Sequence, residues 1–238
     1  LSEEEARALC YDWAFWARAE QLPPGGDWWA WLILAGRGFG KTRSICEWAQ
    51  ERAMAQRSRG AMVAATAADV RDVLVLGESG LLAIAPPWAR PVYEPSKRRV
   101  VWPNGSQALL FSADVPGRLR GPQFHWAVAD EIAAWRYVDA WDMLQFGVRL
   151  GDDPRIAVAT TPRPIAIVRE LLKDTSVAVT RGNTYANRAN LAPRFLERIK
   201  AQYEGTRLGR QEIEGEVLED TPGALWTQGQ IEALRVKV

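Results

Sequence analysis

The sequence predicts an α/β fold, a mostly parallel central sheet flanked by helices, with a small C-terminal lid. Three observations carry this. Apolar, strand-like runs alternate with helical stretches along most of the chain. The runs Trp31–Ala35, His125–Ala129 and Arg155–Ala159 are nearly unbroken, as expected of strands buried on both faces. The first of them leads directly into a glycine-rich turn and then a helix. With 238 residues, 47% apolar and 25% charged, the chain has ample material for a core and lies far from the composition of a disordered segment.

In chain order, Glu3–Ala19 reads as a helix with Leu9, Trp13 and Trp16 at helical spacing, ended by the turn Leu22-Pro23-Pro24-Gly25-Gly26. Strands are predicted at Trp31–Ala35, Ala61–Thr66, His125–Ala129, Arg155–Ala159 and Ser176–Thr180, and helices at Thr42–Gln56 and Ala67–Leu76. Two β-rich runs between Val92 and Ser112 surround Pro103-Asn104-Gly105 and predict a hairpin inserted between helices. After Thr180 the chain becomes Asn/Arg-rich, with helices expected near Pro193–Glu204 and Arg207–Val217. The expected division is a core over 1–182, a lid over 183–225 and a linker over 226–238.

The longest apolar run, Trp28 to Gly36, has nine residues, against about 18 for a spanning helix. No membrane partner is expected. The acidic start, Leu1-Ser2-Glu3-Glu4-Glu5, lacks the basic and apolar regions of a signal peptide, and a chain beginning at Leu1 suggests trimming. Cys10 and Cys46 stand outside any CxxC or Cys/His spacing and read as reduced, cytosolic core thiols. Net charge is only +1, but its distribution is uneven. From Pro86 to His125 the local charge is +4, from Arg163 to Arg210 it is +6, and the acids gather after Gln211. A solvated face and a polyanion-facing surface both produce such blocks. The twelve tryptophans largely flank strand-like runs and read as packing residues.

The segment from Ala35 through Gly36, Arg37, Gly38, Phe39, Gly40 and Lys41 to Thr42 is a P-loop in its proper strand–turn–helix setting. Glycines let successive N–H groups turn inward toward phosphate oxygens, and the helix N-terminus adds partial positive charge. Lys41 would reach the β- and γ-phosphates of ATP, and Thr42 would hold Mg²⁺ through its hydroxyl. Ala35 replaces the usual first glycine, so the loop is a variant. A second acidic site is needed on a neighbouring strand, and Asp130 and Glu131 supply it at the end of Trp126–Ala129. Asp130 would hold Mg²⁺ through its water shell, and Glu131 would polarise the attacking water, favouring hydrolysis over transfer. Thr160 and Thr161, before Pro162, lie where a parallel sheet presents residues to its ligand and could reach the γ-phosphate or that water. His125, the only histidine, has no partner for catalysis and reads as a packing residue.

This P-loop, the Leu119-Arg120-Gly121-Pro122 segment, the Thr160-Thr161-Pro162 ending and the Tyr203–Glu212 stretch together resemble the large terminase subunit of tailed bacteriophages over nearly the whole chain. The resemblance implies a RecA-like, ASCE-type P-loop ATPase that drives double-stranded DNA into a capsid. It implies nucleotide binding by Gly36–Thr42 with its Walker A arginine at Arg37, metal binding by Asp130 and catalysis by Glu131. It further implies an arginine finger at Arg120, coupling through Thr160–Pro162 and an adenine contact from Gln21. Implied partners are weakly and non-specifically held duplex DNA, a portal protein, a small terminase subunit and further copies in a ring on the capsid, the isolated domain being monomeric. The implied location is the cytoplasm of the infected host. The family's nuclease carries an acidic cluster, whereas only Glu232 follows Trp226, so that domain is not expected here. A helicase-like translocating ATPase and a nucleotide-dependent binding module stand as alternatives.

Overall fold

In the computed structural model, which describes residues 2–218 together with 234 and 235, eight strands form one sheet. They are β1 (Ala30–Ala35), β2 (Arg59–Ala64), β3 (Val92–Glu94), β4 (Arg99–Val101), β5 (Gln107–Ser112), β6 (Trp126–Asp130), β7 (Arg155–Thr160) and β8 (Val177–Gly182), in the spatial order β3-β4-β5-β2-β6-β7-β1-β8. The strands from β5 to β8 in that order are parallel, and β4 and β3 add antiparallel at one edge. The predicted hairpin is therefore present as β4 and β5 and belongs to the main sheet. Gly105, with φ 83°, makes its turn, and the Asn104 amide ties it to Ala53 O at 2.7 Å.

All six residues of β1 are buried, which is why its sequence reads as a continuous apolar run. Trp31, Ile33 and Ala35 face one core with Ile45, Trp48 and Ala49 of the helix Lys41–Ala55. Ala30, Leu32 and Leu34 face the other, with Trp141 and Leu144 of the helix Asp139–Gly147 and Ile167 and Leu171 of the helix Ala166–Lys173. Tilted and edge-to-face indoles run through the first core, Trp102–Trp126–Trp48–Trp28–Trp31, with centroids 6.1 to 6.5 Å apart. Trp102 Nε1 donates to Gln50 Oε1 and Trp126 Nε1 to Ser58 Oγ, so these buried donors are satisfied. His125 has a comparable structural duty: its Nδ1 accepts from Arg59 N at 3.0 Å.

Several local expectations are corrected. The single N-terminal helix divides into Glu3–Leu9 and Trp13–Trp16, because the Asp12 side chain caps Phe15 N and starts a new turn. Neither piece contains a buried residue, and Trp16 is exposed. Cys10 is exposed too, so only Cys46 is a core thiol. The predicted helix Ala67–Leu76 is one α-turn, Ala67–Asp69, continued as a π-helix over Val70–Val75. Beyond β8 the chain forms a 3₁₀ segment, Thr184–Asn190, and the helices Pro193–Tyr203 and Arg207–Glu212. The last helix stops short of Val217, and past it Gly215, at φ 74°, packs against Gly182 O and Gly36 N, where a Cβ would collide. Most of the expected linker lies outside the described residues. Among the described residues, no helix is long and apolar enough to cross a membrane.

Candidate nucleotide site

β1 delivers its C-terminal end to a loop over Gly36–Gly40, and the helix Lys41–Ala55 begins where the loop ends. Gly38 and Gly40 take φ of 73° and 99°, the left-handed backbone that glycine adopts without Cβ strain. Gly36 N donates to Gly182 O at 3.1 Å and Arg37 N to Glu212 O at 2.7 Å, so the loop's first two N–H groups are used by the fold. The next three, on Gly38, Phe39 and Gly40, have no hydrogen-bond partner among the described residues and adjoin the unpaired N–H groups of the helix start. That is the donor array an anion requires. Phe39 contributes only its backbone, since its ring is fully buried against Gly182.

Lys41 is buried, and its Nζ donates to Ala35 O at 2.8 Å, Gly36 O at 3.2 Å and Thr161 Oγ1 at 3.2 Å. The Thr161 hydroxyl in turn donates to Glu131 Oε1 at 3.2 Å, and Thr161 N donates to Glu131 Oε2 at 3.1 Å. Lys41 Nζ lies 3.7 Å from Glu131 Oε1. Lysine, threonine hydroxyl and carboxylate thus form one chain across three strand ends. Burial lowers the Lys41 ammonium below its usual value, opposed by the charges of Glu131 and Asp130.

Asp130 closes β6 and is almost wholly buried, and its Oδ1 has no hydrogen-bond partner among the described residues. Burial pushes its carboxyl up to about 7, with the Glu131 charge adding to the rise and Lys41 opposing it. Glu131 leaves the strand at φ 46°, an uncommon conformation for a non-glycine residue that turns its half-exposed carboxylate toward Thr161. Both carboxylates stand on the next strand but one from β1, not on its neighbour as expected, because β7 lies between β1 and β6. That insertion is what places Thr161 between Lys41 and Glu131.

An unpaired, buried carboxylate oxygen is what a hard cation would satisfy. No group of three or more His, Cys, Asp or Glu that could cage a metal exists among the described residues. Asp130 therefore offers a carboxylate oxygen to a cation such as Mg²⁺, and Thr42, in the first turn of the loop's helix, is the second candidate ligand from sequence.

The remaining sequence candidates divide. The Thr160 hydroxyl accepts from Ala133 N at 3.1 Å and donates to Thr161 O at 3.1 Å, fixing the turn after Glu131 instead of facing the loop. Gln21 is buried with its amide against Gly40, where a Cβ would strike it. Arg37 pairs with Glu212 of the helix Arg207–Glu212 at 2.7 Å and its carbonyl accepts from Thr184 Oγ1. Arg120 is exposed and, among the described residues, its side chain reaches only Met143 Sδ, at 3.2 Å. Four residues given no site role from sequence also touch the loop: Arg18, Thr184, Asn187 and Glu212. For Arg18 and Asn187 no motif spacing signals the contact, since they meet main-chain atoms.

A family model described as terminase large subunit, T4likevirus-type, N-terminal, matches residues 32–233. Among solved structures, the ATPase domain of the Thermus phage P74-26 large terminase is similar at 16% identity, covering 79% of this chain and 88% of that one, with a TM-score of 0.61. The large terminase of a thermophilic bacteriophage, solved in complex with ADP, is similar at 14% identity, covering 91% of this chain and 53% of that one, TM-score 0.64. The HK97 bacteriophage large terminase gives 15% identity, coverages of 82% and 48%, and a TM-score of 0.55. This chain thus spans about half the length of the latter two proteins. No curated protein sequence matches. At these identities the structural likeness shows the fold.

Proposed function

The chain belongs to the T4-type terminase large subunit family, matching its N-terminal region, and from that premise we propose that it is the ATP-hydrolysing motor domain of a viral packaging machine, acting on double-stranded DNA. The observation that carries the reading is the Lys41–Thr161–Glu131 chain set beside a loop whose N–H groups from Gly38 to Gly40 have no partner among the described residues.

In this reading Lys41 exchanges the carbonyls of Ala35 and Gly36 for the β- and γ-phosphate oxygens of ATP, and the N–H groups from Gly38 to Thr42 neutralise the remaining charge. Thr42 and Asp130 would hold Mg²⁺, which would supply neutralisation of phosphate charge. Glu131 accepts a hydrogen bond from the attacking water and aligns it, and Thr161 keeps the carboxylate in register with Lys41. Arg37 leaves Glu212 for phosphate charge, and Gln21 contacts the base. Arg120 faces solvent and acts on the nucleotide of a neighbouring copy within a ring. Duplex DNA, a portal protein and a small terminase subunit are the expected partners, met in the cytoplasm of the infected host.

The test is a pair of variants. Lys41→Ala abolishes tight ATP binding, whereas Glu131→Gln binds ATP and loses hydrolysis, because one residue holds ground-state phosphate charge and the other positions water. Parental hydrolysis by Glu131→Gln would overturn the catalytic assignment.

A further inference from the structure

Two side chains outside the P-loop pattern grip the loop from behind. Arg18 Nη2 donates to Phe39 O at 2.6 Å, and its guanidinium stacks over the Phe39 ring at 4.9 Å. Asn187, in the lid's Thr184–Asn190 segment, donates through Nδ2 to Gly38 O at 2.7 Å. The two are joined, since Arg18 Nη1 donates to Asn187 Oδ1 at 2.7 Å. Consecutive loop carbonyls are therefore held by one side chain from the N-terminal segment and one from the lid.

The peptide plane links this grip to the opposite side of the loop. In a trans peptide the N–H of one residue points away from the carbonyl before it. Fixing Gly38 O and Phe39 O outward consequently turns the N–H groups of Phe39 and Gly40 inward, and these are among the donors with no partner in the described residues. We infer that Arg18 and Asn187 are positioning residues of the nucleotide site: they preset the loop's N–H groups for phosphate by holding its carbonyls, and their mutual bond makes lid placement part of the same act. Asn187 also takes a non-helical conformation inside its segment, with φ −104°, and its Oδ1 accepts from Asn190 as well as Arg18. Its amide is thereby held in the orientation that presents Nδ2 to Gly38.

The inference rests on the ATP-binding reading, and the experiment separates the two. ADP affinity and melting temperature without nucleotide are measured for the parent, Arg18→Lys, Asn187→Ala, the double variant and Lys41→Ala. Arg18→Lys keeps the cation and removes the planar fork. Each single variant is expected to weaken ADP binding about tenfold, with the melting temperature within about 2 °C of the parent. The double variant should weaken binding by less than the product of the two, because the side chains act as a unit. Under steady state the rise appears in KM, with kcat largely kept, because Asp130 and Glu131 are untouched. ADP affinity equal to the parent's in both single variants, while Lys41→Ala loses binding, overturns this inference alone. A loss of affinity that only follows a fall in melting temperature of about 8 °C or more also overturns it. Parental affinity in Lys41→Ala would instead remove the ATP-binding reading itself.

Discussion

Asp130 is the residue on which burial weighs most. Its carboxyl titrates at about 7 in the fold, against an ordinary value near 4 in the unfolded chain. The folded state holds the proton more tightly, so stability falls as pH rises between about 4 and 7 and the full cost of the buried charge is present above that window. In chelator, Asp130→Asn should therefore melt higher than the parent above pH 7, by an amount worth a few kcal/mol at most, and the gap should close toward pH 4. Thermal melts across pH check this, and a gap independent of pH would contradict it. With Mg²⁺ and ATP the order should reverse if Asp130 is the proposed ligand, because the amide of Asp130→Asn would bind the cation more weakly than the carboxylate. The position of Asp130 was legible in sequence, since an apolar run ending in a carboxylate predicts a buried strand that closes on it. The contacts of Arg18 and Asn187 with the loop were not, because a side chain that grips a main-chain carbonyl leaves no residue-type pattern at the carbonyl's own position.

At the scale of elements, the segment that follows β8 is seated on the loop by backbone. Arg37 N donates to Glu212 O, Thr184 N donates to Ile213 O at 2.8 Å, and a Cβ on Gly36 would collide with the carbonyls of Glu212 and Ile213. Gly36→Ala should consequently lift the Glu212–Leu218 return off the loop. Hydrogen exchange at Arg37 and Thr184 is expected to speed up by about tenfold or more, while the hairpin of β4 and β5 keeps its protection. Unchanged exchange at both amides would contradict this seating. The strands buried on both faces were readable because their runs are apolar without alternation, and the hairpin because Asn104-Gly105 suits a tight turn. Strand order was not readable: β7 sits between β1 and β6 through long-range pairing that no local periodicity encodes. The division of the N-terminal helix was missed because the spacing of Leu9, Trp13 and Trp16 satisfies helical periodicity even though none of them is buried.

For the whole molecule, near-neutral net charge combined with basic blocks predicts weak duplex binding without sequence preference. A motor must regrip any sequence, so contacts go to phosphates. The slope of log affinity against log salt should be about −0.9 for each phosphate neutralised, and charge reversal within Arg163–Arg210 should weaken unrelated duplexes equally. A sequence-selective footprint would favour a DNA-recognition module. Arg120, exposed beside Met143, should matter only after assembly, where an arginine finger contributes roughly 10³ to 10⁵ in rate. Mixing Arg120→Ala with Glu131→Gln should then restore activity at mixed interfaces, and no recovery in demonstrably assembled rings would count against action in trans. The most direct test of the packaging-motor account is steady-state ATP hydrolysis per molecule, measured against protein concentration with and without duplex DNA. The account predicts a slow basal rate that rises with concentration and rises further with duplex; a rate unmoved by either would contradict it.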